Sequence, residues 1–243
     1  HKIKNIEQNS DSVTVVADTP NGDRSYMGNW LIGADGANSI VRQLSGINFE
    51  GFTWEEKFLV VSTTYDYKKY IKNLSYVNYY ADPQQWFFLL KVPGLWRVMF
   101  PVQKEENEAD IFGAECVENR MQWVQASPKT FEIAHRTLYK VHQRVAAKYR
   151  EGRIFLIGDA AHINNPLGGM GMNGGIHDAF NLAEKISLFW HNQKNLSVLD
   201  LYEKQRRPVA LEYVNKQSIK NKQNLEANTL EAQEAFRVFL SEL

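Results

Sequence analysis

Two short apolar segments of the chain run directly into glycine and aspartate. Ile154 to Ile157 leads into Gly158-Asp159, and Trp30-Leu31-Ile32 leads into Gly33-Ala34-Asp35-Gly36. Apolar runs without polar alternation are typical of strands that are buried on both faces of a sheet. Because open α/β sheets bind ligands at the carboxyl ends of their strands, we expect both aspartates to lie at a ligand site.

A glycine-rich segment follows the second of these strands. Its glycines, which would let backbone approach a ligand closely, are Gly168, Gly169, Gly171, Gly174 and Gly175. A helix is predicted to begin near Ile176 and to point its positive N-terminus at the same place. The pattern predicts a site for a large, partly anionic cofactor. Residues 169–174 also fit GxGxxG by letter, but no strand precedes them directly, so we do not interpret them as a dinucleotide fingerprint.

The middle of the chain has a different pattern, rich in aromatic and β-branched residues. It predicts strands at Phe58–Val61, Tyr76–Tyr80, Trp86–Leu90 and Leu95–Phe100, with a tight turn at Pro93-Gly94. These strands indicate an antiparallel sheet. Helical propensity is high over residues 105–125, and a further short helix is predicted over residues 129–135.

The two ends of the chain are predicted to be a strand-rich segment and a helical one. Residues 1–17 are strand-like, with a turn at Pro20-Asn21-Gly22-Asp23. An amphipathic helix is predicted over residues 178–190, and residues 201–243 are predicted to be mostly helical, with a break near Pro208. No internal repeat is found.

Composition narrows the possible classes of function. The chain has 243 residues, and 28 basic side chains balance 28 acidic ones, which does not favour a nucleic-acid partner. No apolar run approaches the roughly 20 residues of a membrane span. Cys116 is the only cysteine, so an intramolecular disulfide is impossible and a reducing, cytoplasmic compartment is expected. We interpret Cys116 as a small apolar helix residue rather than a nucleophile.

The motifs resemble those of the para-hydroxybenzoate-hydroxylase-like (class A) FAD-dependent aromatic monooxygenases. Residues 33–42, GADGANSIVR, resemble the second flavin motif of that family. Residues 158–162, GDAAH, with Pro166 and residues 168–173, resemble the third, and residues 178–182 continue it. Residues 202–208, YEKQRRP, resemble a downstream segment of the family. The resemblance covers roughly residues 30–208 and gives almost no information about the substrate.

The resemblance implies an α/β (α+β) fold with three kinds of part. These are a partial Rossmann-like FAD-binding domain (residues 1–50 and 140–192), an inserted antiparallel substrate domain (residues 51–139) and C-terminal helices (residues 193–243). It implies hydroxylation of a phenol-like small molecule with NAD(P)H and O₂, through a hydroperoxide at flavin C4a. The residues it assigns to FAD are Gly158, Asp159, Asp35, Gly36, Arg42, Pro166, Gly168, Gly169, Gly171, Met172 and Asn173.

The roles within this set differ, and each has a plainer alternative. The resemblance assigns Asp159 to the ribityl chain of FAD, whereas the alternative is a turn or helix-cap aspartate. Asp35 is expected to act through water, backbone or hydroxyl contacts, because a carboxylate cannot favour a phosphate directly. Arg42 suits pyrophosphate by charge and geometry, and its alternative is a surface arginine. His162 is interpreted as structural rather than as a general base.

Candidate substrate residues are Arg97, Trp86 and Pro166. A buried Arg97 could hold a substrate carboxylate, but the favoured interpretation is that it faces solvent or an acid. Trp86 could line an aromatic pocket or pack in the core. His135 and His142 are seven residues apart, but no acid or cysteine completes a metal set, so no metal site is predicted. The motifs identify no catalytic residue.

The chain departs from the family pattern at its start. Nothing before Trp30 resembles the strand, GxGxxG loop and helix with which these enzymes hold the ADP half of FAD. We therefore expect a further N-terminal region on the order of 100 residues. Two alternatives stay open: a non-catalytic fragment or degenerate partner subunit, and a reductase or halogenase on the same fold. The halogenase signature Trp-x-Trp-x-Ile-Pro is absent, which disfavours the last.

Overall fold

The computed structural model describes residues 1–82, 84–167, 169–191 and 195–225, together with Glu234 and Val238. The chain divides into two compact units. The first contains residues 1–52 and 142–219, and the second contains residues 53–141 and 220–243. Within the described residues, no helix is long and apolar enough to cross a membrane.

The described residues form twelve strands. They are β1 (Lys2–Gln8), β2 (Val13–Thr19), β3 (Gly22–Gly28), β4 (Leu31–Gly33), β5 (Phe49–Thr63), β6 (Val77–Tyr80), β7 (Phe87–Val92), β8 (Leu95–Val102), β9 (Ile133–Ala146), β10 (Arg150–Glu151), β11 (Ile154–Leu156) and β12 (His162–Ile163).

Six α-helices are described. They are α1 (Ile40–Leu44), α2 (Glu108–Ile111), α3 (Ala114–Val124), α4 (Met170–His191), α5 (Ser197–Pro208) and α6 (Asn215–Leu225). Tyr67–Lys69 and Gly158–Ala160 form single 3₁₀ turns, and Val209–Val214 is π-helical. The π-helical turns follow Pro208 directly, so the helix changes its geometry at the predicted position but is not broken there. Most of the predicted helix beyond residue 225 lies outside the described residues.

The first unit contains two small sheets. One is antiparallel, with the strand order β1-β2-β3. The other has the order β10-β11-β4, and β11 runs parallel to β4 with Leu156 opposite Gly33. All three residues of β11 are buried, as its apolar sequence predicts. Gly33 is required at this contact, because a Cβ there would lie 2.9 Å from both Leu156 Cδ2 and Val41 Cβ.

The second unit is built on an antiparallel sheet in which β5, β8, β7 and β6 are successive neighbours. Alternate residues of these strands face a core with helices α2 and α3, and its largest buried side chains include Trp96, Phe100, Tyr67 and Met121. The turn at Pro93-Gly94 joins β7 to β8, and Gly94 has the positive φ of +74° that the prediction required. The predicted fold class, with antiparallel sheets and helices, is confirmed.

Three helix predictions are wrong in detail. Residues 129–135 form no helix, because strand β9 begins at Ile133. The overlooked signal is the alternation of Tyr139, Val141 and Val145 with Lys140, His142 and Arg144. Residues 105–125 form two helices rather than one, because Gly113 ends the first segment and occupies the N-cap of α3.

The third discrepancy concerns the glycine-rich segment. Helix α4 begins at Met170 rather than near Ile176, so most of the predicted loop is helical. Glycine in a helix interior costs about 1 kcal/mol relative to alanine. Here packing overrides that preference, because Gly174 and Gly175 allow the helix to approach His162 and Gly158 closely.

Candidate cofactor site

The two strand-end motifs lie side by side in the first unit. Strands β4 and β11 are parallel neighbours, and the Ile157 N–H donates to the Gly33 carbonyl over 3.0 Å. The chain therefore leaves both strands at the same sheet edge, through Gly33-Ala34-Asp35-Gly36 and through Gly158-Asp159. This is the edge at which open α/β sheets bind their ligands.

Asp159 is presented on this edge without a partner of its own. It lies in the 3₁₀ turn Gly158–Ala160, which begins at a positive φ of +58° for Gly158 and is closed by a 2.8 Å bond from the Ala161 N–H to the Gly158 carbonyl. The side chain is exposed, and its carboxylate makes no hydrogen bond or ion pair within the described part of the chain. The carboxylate oxygens are therefore free to accept hydrogen bonds from a ligand.

Asp35 organises the other turn. Its Oδ1 accepts from the Ser39 hydroxyl over 2.5 Å, and its Oδ2 accepts from the Val41 N–H over 3.1 Å. Ser39 in turn caps helix α1 by accepting from the Arg42 N–H. Gly36 has a φ of +79°, which suits glycine. Asp35 therefore has hydroxyl and backbone partners in its own turn, and its expected role toward the cofactor stays a prediction.

Arg42 connects the two motifs from inside the protein. It is 5% exposed, so the alternative of a surface arginine is wrong. Its Nη1 donates to the Ala160 carbonyl over 2.8 Å and its Nη2 donates to the Ala37 carbonyl over 2.7 Å, while the guanidinium lies 3.7 Å from the centre of the Phe49 ring. Burial lowers the pKa of Arg42. Nη1 and Nη2 each donate to a backbone carbonyl, so Arg42 holds the two turns together; its expected contact with the pyrophosphate stays a prediction.

The glycine-rich segment serves two purposes. Gly174 and Gly175 face the protein: a Cβ on Gly174 would lie 2.9 Å from His162 Cε1, and one on Gly175 would lie 3.1 Å from Gly158 Cα. The earlier residues face outward. The Met172 side chain is 75% exposed, Asn173 is exposed, and Gly169, at a φ of +64°, has open space around it.

The outward-facing part coincides with the N-terminus of α4. The Gly169 N–H donates to the Pro166 carbonyl over 3.0 Å, so Pro166 closes the turn that leads into the helix. The first N–H groups of a helix have no partner within it, and they carry the positive end of its dipole. This end of α4 can therefore stabilise negative charge on a ligand. Gly168, which was assigned to the same site, lies outside the described residues.

A buried carboxylate that the sequence analysis did not single out lies beneath these turns. Asp178 is fully buried, and its Oδ2 accepts from the Gly158 N–H over 3.1 Å and lies 2.8 Å from His162 Nε2. Its Oδ1 accepts from Arg206 Nε over 2.7 Å. His162 is 4% exposed and stacks on Tyr149. His162 is therefore not accessible as a general base, in agreement with its structural interpretation.

The candidate substrate residues are distributed over both units. Trp86 and Arg97 belong to the second unit, and Pro166 belongs to the first. Trp86 is 5% exposed and packs edge-on against Phe58, with 5.6 Å between ring centres. Arg97 is exposed on β8, opposite Ser62 and Leu90, and makes no ion pair or hydrogen bond within the described ranges. The favoured expectation that Arg97 faces solvent is therefore confirmed and the buried alternative is wrong, because its side chain points away from the core that Trp96 and Val98 enter.

Metal-binding side chains are not grouped in the described part of the molecule. No cluster of three or more His, Cys, Asp or Glu side chains there is placed to hold a metal ion.

Comparison with known proteins agrees with this geometry. The family model described as FAD binding domain matches residues 1–217. Among curated proteins, para-nitrophenol 4-monooxygenase of Pseudomonas sp. (strain WBC-3) is 34% identical over 220 residues, which cover 88% of this chain and 54% of the relative. Pentachlorophenol 4-monooxygenase of Sphingobium chlorophenolicum is 33% identical over 183 residues, covering 74% of this chain and 34% of the relative.

Solved structures give the same picture. The crystal structure of p-nitrophenol 4-monooxygenase from Pseudomonas putida DLL-E4 matches with a TM-score of 0.86 and 33% identity, covering 96% of this chain and 59% of that one. The flavin-dependent monooxygenase PieE, solved with FAD and substrate, matches with a TM-score of 0.82 and 26% identity, over 92% and 40% of the two chains. The chain spans about half the length of the first two curated relatives, 54% and 50%.

Proposed function

The chain belongs to the family of FAD binding domains, and from that membership we propose that it holds the flavin of a monooxygenase that hydroxylates a phenol-like aromatic ring. Several relatives are named for such reactions, including para-nitrophenol and pentachlorophenol 4-monooxygenases. The observation that carries the proposal is the parallel pairing of β4 with β11, which brings both flavin motifs to one sheet edge beside the N-terminus of α4.

The residues present fit FAD in three respects. Asp159 offers an exposed carboxylate without a protein partner, which suits the hydroxyl groups of the ribityl chain. The turn at Asp35-Gly36 offers backbone in an ordered conformation for the pyrophosphate end. The open space around Gly169, just before α4, and the first N–H groups of that helix suit the isoalloxazine.

The outward-facing set at the start of α4 is proposed to contact the flavin ring. It comprises Pro166, Gly169, Gly171, Met172 and Asn173, and Gly168 is proposed from its place in the sequence. Reduced flavin carries negative charge, which helix N–H groups stabilise without a lysine. Arg42 contributes indirectly, because it ties the Ala37 and Ala160 carbonyls of the two turns together.

Bound FAD would supply the redox chemistry, by accepting electrons from NAD(P)H and passing one oxygen atom of O₂ to the aromatic ring. The chain's own residues bind and orient the cofactor and help to exclude water from the reacting atoms. Asp159 orients the ribityl chain, and the N-terminus of α4 favours the reduced, anionic state of the ring. No side chain of this site needs to act as a general base, since His162 is buried against Asp178.

We further propose that residues 51–139 contact the aromatic substrate, while residues 1–50 and 140–192 hold the cofactor. Arg97 is the candidate contact for an acidic substituent, because its guanidinium is exposed and unpaired within the described ranges. Trp86 would support the same face of the sheet, where it packs on Phe58. Pro166 would contribute from the turn before α4.

The test is oxygen transfer to phenols. The purified protein, supplied with FAD and NADPH or NADH, is assayed against phenol, 4-nitrophenol and 3-hydroxyphenylpropionate under ¹⁸O₂. We expect substrate-stimulated oxidation of the nicotinamide and one ¹⁸O atom in the product. An Asp159→Ala variant serves as the cofactor-binding control. Flavin binding without an oxygenated product from any phenol would contradict the hydroxylase proposal and favour a reductase.

A further inference from the structure

The buried carboxylate of Asp178 contacts three separate parts of the first unit. Its Oδ2 accepts from the Gly158 N–H and faces His162 Nε2, and its Oδ1 accepts from Arg206 Nε. Its side chain is 0% exposed. A buried charge is tolerated only when it is paired and hydrogen-bonded. The contacts to Gly158, His162 and Arg206 therefore form one interdependent set.

Arg206 makes a second contact that bears on the cofactor site. While its Nε donates to Asp178, its Nη2 donates to the Gly174 carbonyl over 3.3 Å. Gly174 lies in the second turn of α4, just after the outward-facing residues that are proposed to contact the flavin ring. One guanidinium on α5 therefore holds both the carboxylate under the Asp159 turn and the backbone at the beginning of α4.

Two other residues of α5 hold this helix against the sheet through hydrogen bonds. The Tyr202 hydroxyl donates to the Leu156 carbonyl over 2.6 Å, at the end of β11. Glu203 accepts from the Tyr149 and Arg150 N–H groups over 2.7 and 3.0 Å. Helix α5 is thus registered on β11 independently of Arg206, so Arg206 can act as a fixed point for α4 and for the turn.

We propose that Arg206 and Asp178 are positioning residues for the cofactor: they fix the Gly158–Ala160 turn, and hence Asp159, relative to the N-terminus of α4. The inference rests on the proposed function of this edge as an FAD site. Neither side chain touches the cofactor in this account. Arg206 acts through Asp178 and through the Gly174 carbonyl, and Asp178 acts through the Gly158 N–H.

The chemistry of the pair predicts which substitutions matter. In Asp178→Asn one carboxylate oxygen becomes an NH₂ donor, which would face either Arg206 or the Gly158 and His162 donors without an acceptor. Arg206→Gln removes both the positive charge and the planar guanidinium that makes two contacts at once. Arg206→Lys keeps the charge near Asp178, but a single ammonium cannot reproduce the planar two-point contact with Asp178 and Gly174. Arg206→Lys should therefore retain part of the FAD affinity and of the exchange protection that Arg206→Gln loses.

Arg150, which lies on β10 and pairs with the same helix, provides a matched control. It pairs with Asp200 of α5, and its side chain is 14% exposed, against 15% for Arg206. The Arg150–Asp200 pair contacts neither the Asp159 turn nor α4. The Arg150 guanidinium also lies 5.3 Å from the centre of the Phe155 ring, so exchange at Phe155 itself is left out of the comparison. Arg150→Gln therefore removes an ion pair of α5 with similar exposure of the arginine, without altering the proposed positioning contacts.

The experiment measures two quantities on the wild type and on the four variants. The first is amide hydrogen exchange over residues 155–163 in the absence of FAD, and the second is the dissociation constant of FAD from flavin fluorescence quenching. We expect Arg206→Gln and Asp178→Asn to accelerate exchange in this segment and to weaken FAD binding about tenfold or more. Arg206→Lys should lie between Arg206→Gln and the wild type, and Arg150→Gln should change neither quantity locally.

The outcomes separate this inference from the function on which it rests. Unchanged exchange over residues 155–163 in Arg206→Gln, or equal effects of Arg206→Gln and Arg150→Gln on both quantities, would overturn the positioning role. Should the wild type fail to bind FAD, the proposed function fails. The exchange data would then still decide whether Arg206 orders the turn.

Discussion

Arg42 Nη1 lies 2.8 Å from the carbonyl oxygen of Ala160, a residue 118 positions further along the chain. This hydrogen bond connects the helix that follows the first motif to the turn that carries Asp159. Because Nη2 of the same guanidinium binds the Ala37 carbonyl, Arg42 holds both motif turns in one arrangement. In this chain, the arginine of the first motif therefore donates to backbone carbonyls of the protein itself.

Replacing Arg42 should reduce stability as well as cofactor binding. In Arg42→Met the Ala37 and Ala160 carbonyls lose their partner, at a cost of about 1–3 kcal/mol for each buried group left unsatisfied. We expect the free energy of unfolding in urea to fall by roughly 2–5 kcal/mol. Arg24, which is exposed on β3, is the control, and Arg24→Met should cost less than about 0.5 kcal/mol. Full stability of Arg42→Met with weakened FAD binding would instead indicate a direct phosphate contact.

Gly174→Ala should destabilise the protein although it lies in a helix. Alanine in a helix interior normally gains about 1 kcal/mol over glycine. Here the new Cβ would lie 2.9 Å from His162 Cε1, and the ring cannot retreat cheaply because Asp178 and Tyr149 hold it. Overpacking of this kind costs about 1–3 kcal/mol.

Urea unfolding of Gly174→Ala beside Ser187→Ala provides the measurement. Ser187 is exposed on the same helix, so its replacement should change stability by less than about 0.5 kcal/mol. A Gly174→Ala protein that is as stable as the wild type would show that the glycine run is there for the ligand alone. It would also mean that close packing against His162 does not explain why the glycine-rich segment is helical from Met170 onwards.

The two motif strands and the fold class could be predicted from the sequence because their signals are local. The unbroken apolar run around Phe155 correctly predicts a buried strand, whereas Ile32 on β4 is 43% exposed, so the expectation that β4 is buried on both faces is wrong. The positions of Asp35 and Asp159 follow from where the two runs end. The Pro93-Gly94 turn was predictable for the same reason, since its two residues set the backbone angles themselves. The position of Asp159 at the sheet edge follows from its place directly after the strand.

The burial of Arg42 and the role of Asp178 could not be predicted, because both depend on partners far along the chain. Arg206 lies 28 residues beyond Asp178, and no periodicity specifies that the two side chains meet. The helix predicted over residues 129–135 failed for a related reason. Strand β9 is stabilised by pairing with other strands, for example with β12 at His162 and Ile163, and propensity within a short window does not record such pairing.

Buried tyrosines should make stability fall at alkaline pH. Burial raises the pKa of Tyr139 to about 12 and also raises the pKa of Tyr67, Tyr149 and Tyr202. Below the ordinary pKa near 10 the phenols are neutral in both states, so their contribution to stability is fully present. Between pH 10 and 12 the unfolded chain loses the Tyr139 proton while the folded chain keeps it. The free energy of unfolding must therefore decrease as the pH rises through this window.

Tyrosinate absorbance measures this effect directly. Of the 11 tyrosines, the four buried ones should ionise later than exposed residues such as Tyr26, and together with alkaline unfolding. Tyr139→Phe should lessen the loss of stability between pH 10 and 12, whereas Tyr26→Phe should leave it unchanged. Simple titration of all the tyrosines near pH 10, with the fold intact, would contradict the burial of these phenols.

Asp159 tests the central claim most directly, because its two possible roles predict different results. As a cofactor residue without a protein partner it should be dispensable for folding, so Asp159→Ala should change the free energy of unfolding by less than about 0.5 kcal/mol. The same variant should lose flavin, since the ribityl hydroxyls would lose their acceptor. Asp178→Asn, by contrast, should lower stability, because Asp178 is buried and paired.

The decisive measurement is the visible absorption spectrum of the protein purified in the presence of FAD, for the wild type and Asp159→Ala. The account predicts the bands of bound flavin in the wild type and their loss, or a weakening of at least tenfold in FAD affinity, in a variant that is folded to the same extent. Equal flavin content in the two proteins would contradict the assignment of Asp159. No flavin in the wild type, even with added FAD, would contradict the cofactor site itself.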